Sequence, residues 1–308
     1  MNTEYSNLEV NWTVHEFSNK SVPMQQVYLD WEITFLEARL NGGEQLLTDL
    51  RDIIHEQEER LVKHTKAGHT GGTMLDRHHL TTRFQNWNLF YVDHPATETL
   101  WSLIKEGHEK FLELHDITLP TRPSIQSWAN VLRSGDEIGE HSHVPSPDGA
   151  DCYVSTNFCV TADESTATVY DLPGYTDREA SFTNRPGQLI LFPPWIPHYT
   201  TPFEKEDSTR ITIASDIIMS HWHTASFQNG ERQRQFIPFD THPTEKRRQF
   251  SETSDWDDIP SVDSTITRLV NYEGKLTEDI VLNMKEEGTN FGKKTLVPGG
   301  VSDGEKED

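Results

Sequence analysis

Three histidines, an arginine and a threonine sit at spacings that a small β-barrel would bring together. The stretch GDEIGEHSH over 135–143 places His141 and His143 two positions apart. On an extended strand, side chains two apart leave the same face. Fifty-five residues after His143, the segment PPWIPH ends at His198, just beyond the apolar run QLILF over 188–192. Imidazole suits iron, zinc and copper, and three protein nitrogens leave coordination positions open for chemistry. Arg210 and Thr212 follow, again two apart. Arginine grips a carboxylate through two parallel hydrogen bonds. A metal on one wall and a carboxylate clamp on the other is the equipment of an iron oxygenase that uses a keto-acid cosubstrate.

To hold these residues in place the chain must supply short strands, and its pattern predicts them at about 125–133, 150–161, 166–171, 180–183, 187–193 and 209–218. Turn residues such as Pro145, Pro147 and Gly149 divide them, which suggests a sandwich or jelly roll. Upstream, alternation at Leu8, Val10, Trp12 and Val14 predicts a strand or two before the break at Gly42 and Gly43. A helix over 44–66 carries Leu47, Leu50, Ile54 and Leu61 near one face. A second, over 96–114 after Pro95, has the stripe Leu100, Leu103, Ile104, Phe111 and Leu114. Residues 1–123 are therefore expected to form a helical and strand support region that covers the outer face of one sheet, with the core at 124–220. A polar extension follows over 221–293, with one helical pattern at 277–287, and 294–308 has the composition of a disordered acidic tail.

The 308 residues include 50 acidic and 27 basic ones, for a net charge of −23. That balance argues against nucleic acid as a partner, because phosphate contacts need clustered lysine and arginine. No apolar run approaches membrane-spanning length and the start lacks a signal-peptide pattern, so the expected compartment is the cytoplasm, with no membrane partner. Cys152 and Cys159 are the only thiols, and their odd spacing on one strand predicts opposite faces and no bridge. A homo-oligomer is compatible with the sequence.

The residues Trp128, Asn130, Gly135, His141, His143, Tyr153, PGQLILFP over 186–193, His198 and RITI over 210–213 together resemble the core of the 2-oxoglutarate/iron(II)-dependent dioxygenases. The likeness is greatest to the 2OG-Fe(II) oxygenases that carry H-x-H where most of the superfamily has H-x-D or H-x-E, and it covers about residues 124–218. It implies a mainly β protein with flanking helices, its core a double-stranded β-helix (jelly roll) preceded by a helical layer. It also implies Fe(2+) on His141, His143 and His198, with 2-oxoglutarate and O2 as cosubstrates. Arg210 and Thr212 would take the far carboxylate of the keto acid, and Tyr153 and Asn130 would contact cosubstrate or substrate. The implied reaction is hydroxylation of an unactivated C–H bond of a small molecule or protein side chain, with succinate and CO2 as coproducts.

The departure is the missing carboxylate. Either the site is a three-histidine one, or a nearby acid such as Asp148 or Asp151 swings in; Glu140, adjacent to His141, would face away. The cupins share the pattern from Gly135 to His143, with Asp148 close to their glutamate. They place the last histidine three residues after P-x-G, however, and here Pro186 and Gly187 lie some eleven residues before His198. A cupin-type metalloenzyme that uses no keto acid, and a non-catalytic jelly-roll binding protein, are the alternatives. His78, His79, His221 and His223 read as surface or outer-layer histidines.

Overall fold

The apolar alternation of the chain resolves into two antiparallel sheets that face each other. The computed structural model describes residues 5–240 apart from 6, 21–29, 65–72, 120–122, 144–151, 174–177, 220–226, 229–230 and 233–235. In chain order the elements are β1 (Glu9–Asn19), β2 (Trp31–Asn41), α1 (Glu44–His64), α2 (Pro95–Leu114), β3 (Ser124–Leu132), β4 (Cys152–Thr161), β5 (Ala167–Asp171), β6 (Glu179–Thr183), β7 (Gln188–Phe192), β8 (His198–Thr200) and β9 (Arg210–Ile218). The two-residue strands β10 (Phe227–Gln228) and β11 (Glu231–Arg232) pair with each other, and β12 (Ile237–Pro238) pairs with β3.

The larger sheet runs β1-β2-β7-β4-β9-β3-β12 and the smaller β6-β5-β8. Residues 136–141 extend the smaller sheet beside β8: His141 and His198 exchange backbone bonds of 3.0 and 2.9 Å, and Phe203 N donates to Asp136 O at 3.0 Å. Four strands of the large sheet (β7-β4-β9-β3) thus face four of the small one, which is the double-stranded β-helix. The sequence pattern missed the 136–141 strand because Asp136, Glu137, Gly139 and Glu140 interrupt any apolar alternation. Gly135 has a φ of +91° and carries the chain from β3 into this segment, a backbone conformation that side chains disfavour.

The N-terminal hairpin is larger than the sequence suggested. All eleven residues of β1 pair with β2, and β2 in turn pairs with β7 from Leu36↔Leu191 to Arg39↔Gln188. The outer face of the widened sheet is covered by the two helices. Leu46, Leu50, Ile54 and Leu61 of α1 and Leu100, Trp101, Ile104 and Phe111 of α2 share one buried cluster with Phe158, Leu189, Leu191, Ile211 and Ile213. Pro95 opens α2 at its first turn, where no backbone N–H is missed, and the His94 side chain accepts from Ala96 N. Gly107 lets that helix approach closely: a Cβ there would lie 2.7 Å from the Trp12 ring and 3.0 Å from Leu191. Leu114, placed in the apolar stripe by its spacing, is exposed at the helix end.

One bulge in β4 corrects the sequence reading of side-chain direction. Cys152 pairs with Ile218 and Val154 with Ile217, so Tyr153 is skipped. The extra residue brings Cys152 onto the same face as Ser155, its Sγ 3.8 Å from Ser155 Oγ. Cys159, perturbed by Arg210, lies on that face too. The thiols are both free and buried. They stay apart because seven residues of strand separate them, about 23 Å at the rise of an extended chain, and not because they face opposite ways. Among the described residues no helix is long and apolar enough to cross a membrane. The helical pattern at 277–287 and the acidic tail lie outside the described residues.

Candidate metal centre

The small-sheet strands position the histidines. His141 ends the 136–141 segment and His198 opens β8, and their mutual backbone bonds hold the two rings side by side, centroids 4.4 Å apart. His143 is anchored by its own N–H, which donates to Pro194 O at 2.9 Å. One ligand nitrogen of each histidine lies within 4.8 Å of those of the other two. Each ring has an oxygen at Nδ1: Gly139 O at 2.9 Å for His141, Ile196 O at 3.0 Å for His198, and Asp216 Oδ1 at 2.5 Å for His143. An imidazole that donates from Nδ1 presents the lone pair of Nε2, the usual way an outer partner fixes a ligand ring. Burial, reinforced by the neighbouring histidines, pushes His198 well below its usual range, and burial brings His141 down to about 4. Both are therefore neutral at neutral pH, the form that binds metal. The donor set fits one divalent transition metal on three nitrogens.

Beneath the histidines the barrel interior is polar. Arg210, Thr212 and Asp216 of β9 point inward, while Ile211, Ile213 and Ile217 belong to the cluster shared with the helices. Arg210 is only 1% exposed. Its Nη2 donates to Thr168 Oγ1 at 3.2 Å, and in the amide orientation that satisfies all three groups Asn184 accepts from Nη2 at 2.9 Å. Nε and Nη1 have no partner among the described residues, and neither does the buried Tyr170 Oη. Burial brings the Arg210 guanidinium down to about 10 and pushes the Tyr170 phenol up. Tyr170 lies against His198 with ring centroids 5.5 Å apart, and the Arg210 charge acts on its phenol. A buried cation with two unpartnered donors, in the same interior as an unpartnered hydroxyl, has the chemistry to take a carboxylate. Thr212 faces Asn130 across the β3–β9 pair, with Asn130 Nδ2 donating to it at 3.3 Å and Thr81 donating to Asn130 Oδ1 at 3.0 Å.

The structure thus brings His141, His143, His198, Arg210, Thr212 and Asn130 to the barrel interior. Tyr153 is not brought there. The β4 bulge turns it to the helical side, where its Oη is 2.6 Å from His108 Nε2 of α2. Asp148 and Asp151 lie outside the described residues, as do His221 and His223. His79 sits away from the triad, between Asp76 (2.9 Å) and Asp136 (3.0 Å). The sequence reading missed Asp216, Ser155, Thr168, Asn184 and Tyr170. A signal existed for the first: Asp216 shares the period-two face of Arg210 and Thr212, and an acid inside the run ITIASDII needs a buried partner.

His108 gives a prediction of its own. Burial, with a smaller contribution from Lys105, brings its ring down to about 4. The unfolded chain protonates a histidine near 6.5, so the stability held by the neutral ring is complete above that pH and is lost as pH falls towards 4. The loss should be on the order of 3 kcal/mol, at about 1.4 kcal/mol per pH unit of difference. Urea unfolding at pH 7, 5.5 and 4.5 should show a steeper acid loss in the wild type than in His108→Gln. Parallel curves would remove His108 from the acid response.

Residues 126–216, under a third of the chain, match the family model described as "Putative 2OG-Fe(II) oxygenase". That segment, which contains the triad and Arg210, is what the chain shares with the 2OG-Fe(II) oxygenases. Solved structures similar to it include a prolyl-4-hydroxylase from Pseudomonas putida, at 12% identity and TM-score 0.34, with 41% of this chain and 66% of that one covered. A 2OG-Fe(II) oxygenase family oxidoreductase from Burkholderia pseudomallei is similar at 15% identity and TM-score 0.33, with 42% and 61% covered. The α-ketoglutarate-dependent carbocyclase SnoK from nogalamycin biosynthesis is similar at 11% identity and TM-score 0.39, with 65% and 81% covered. The chain spans less than two thirds of the length of the first two. No curated protein matches it.

Proposed function

We propose that this protein is an iron(II)- and 2-oxoglutarate-dependent dioxygenase that hydroxylates an unactivated C–H bond of a small molecule or a protein side chain. The observation that carries the reading is Arg210: a guanidinium buried to 1% exposure, with two of its nitrogens unpartnered among the described residues, in the same interior as three converging histidines. A buried cation of this kind is costly unless an anion completes it. A dicarboxylate that reaches from the histidines to Arg210 meets both demands, whereas a cupin-type metalloenzyme without a keto acid gives Arg210 nothing to hold.

In this reading His141, His143 and His198 hold the metal through Nε2. Arg210 takes the far carboxylate in a two-pronged grip, and Tyr170 donates its hydroxyl hydrogen to the same group. Thr168 and Asn184 keep the guanidinium in place from behind. Thr212 and Asn130 stand beside it, their mutual hydrogen bond fixing both side chains. Phe192, buried and 5.0 Å from His198 by ring centroids, helps to keep water from the metal side. When bound, iron(II) with 2-oxoglutarate and dioxygen supplies the oxidising chemistry, with succinate and CO2 as coproducts. The chain's own part is to bind, orient and exclude water.

The test is oxygen-dependent conversion of 2-oxoglutarate to succinate by the iron-loaded protein, which proceeds slowly even without the prime substrate. Tyr170→Phe should raise the 2-oxoglutarate requirement about ten- to a hundredfold, the loss of one hydrogen bond to a charged group. No succinate above a His198→Ala control, at full iron loading of the wild type, would count against the proposal.

A further inference from the structure

We propose that Asp216 supplies, one hydrogen bond behind His143, the negative charge that a two-histidine, one-carboxylate site places directly on its metal. The inference rests on the metal-centre reading above and deepens it. The three rings are not backed alike. His141 and His198 donate from Nδ1 to the backbone carbonyls of Gly139 and Ile196, neutral acceptors. His143 alone has a carboxylate there, Asp216 Oδ1 at 2.5 Å, a short charge-assisted bond. Ser155 Oγ donates to the same oxygen at 2.6 Å and fixes its position. Asp216 and Ser155 are wholly buried and directly paired across β4 and β9, so the carboxylate is built into the sheet.

The asymmetry falls on the ligand where it has a consequence. Iron sites of this kind are commonly built from two histidines and one carboxylate, leaving a divalent metal a net charge of +1. Three neutral imidazoles leave +2. Asp216, acting across the conjugated ring of His143, returns the total to +1 and strengthens Nε2 as a donor. It is a positioning residue: it touches neither metal nor cosubstrate.

Charge and orientation can be separated, because the bonds from His143 and Ser155 both fall on Oδ1. In Asp216→Asn a carbonyl oxygen can still accept from His143 and Ser155, but the charge is gone. Cobalt(II), a visible and air-stable probe, should bind the variant about ten- to a hundredfold more weakly than wild type, the usual effect of removing an outer partner. Oxalate, an anionic chelator that does not need Arg210, should bind the cobalt-saturated variant as tightly as wild type or more tightly, because the site has become more positive. A residue that only filled space would weaken both. Cobalt affinity within threefold of wild type, or a parallel fall in both affinities, overturns the proposal. Asp216→Asn combined with His143→Asp moves the charge onto the ligand, and this double variant should hold cobalt within about tenfold of wild type. It carries the test if Asp216→Asn alone does not fold, and a larger loss overturns the proposal. If wild type itself binds no cobalt, the metal-centre reading fails first and the role of Asp216 goes with it.

Discussion

Arg210→Ala should lose affinity for 2-oxoglutarate by about thirty- to several-thousandfold while keeping its full complement of iron. Removing one partner of a buried, hydrogen-bonded charge pair typically costs about 2–5 kcal/mol, and each 1.4 kcal/mol is about a factor of ten. Arg210→Lys should recover only part of this, since an ammonium keeps the charge and loses the planar fork. The same site makes a prediction of opposite sign for stability. Arg210 is buried without a carboxylate partner among the described residues, and burial brings its guanidinium down to about 10. Replacing it with methionine removes that penalty, so the ligand-free Arg210→Met protein should be more stable than wild type, by about 1–4 kcal/mol if it follows other buried ionic groups replaced by apolar ones. Weaker 2-oxoglutarate binding with a higher Tm marks a residue kept for a ligand. A lower Tm with unchanged 2-oxoglutarate affinity would make Arg210 a structural residue.

The second large effect concerns the metal itself. Alanine at His141, His143 or His198 should each reduce iron(II) affinity by more than the 10–100-fold typical of an outer partner, because each removes one of three nitrogens. Loss of His198 should be felt only in the metal and its immediate packing: its ring touches Tyr170 and Phe192, while its backbone bonds to His141 do not depend on the side chain. Asp148→Ala should leave iron binding intact. Metal analysis after anaerobic loading reads all four variants. If His143→Ala retains full iron and Asp148→Ala loses it, the third ligand is the carboxylate.

Part of the geometry of this site is legible in the sequence. The period-two spacing of Arg210 and Thr212 follows from side-chain alternation on β9, and His141 and His143, at the same spacing, have ring centroids 5.4 Å apart. The helices covering the large sheet were legible for a similar reason, since Leu50, Ile54, Leu61, Leu100 and Ile104 repeat at the helical period. What escaped depends on contacts between distant segments. Ser155 and Asp216 meet only because β4 and β9 are neighbours, and nothing local announces that pairing. Tyr153 was misplaced because a bulge at that residue reverses the alternation, and one inserted position moves a side chain to the opposite face. Tyr170 was overlooked because in a five-residue strand an inward tyrosine reads as ordinary core.

One anaerobic titration tests the keto-acid site most directly. Iron(II)-loaded wild-type protein should develop a weak visible charge-transfer band as 2-oxoglutarate is added, saturating with one equivalent bound per iron, and Arg210→Ala should require far more 2-oxoglutarate to reach it. A wild-type protein that holds iron on the three histidines yet shows no band at millimolar 2-oxoglutarate would contradict the keto-acid reading and favour a metalloenzyme of the cupin kind.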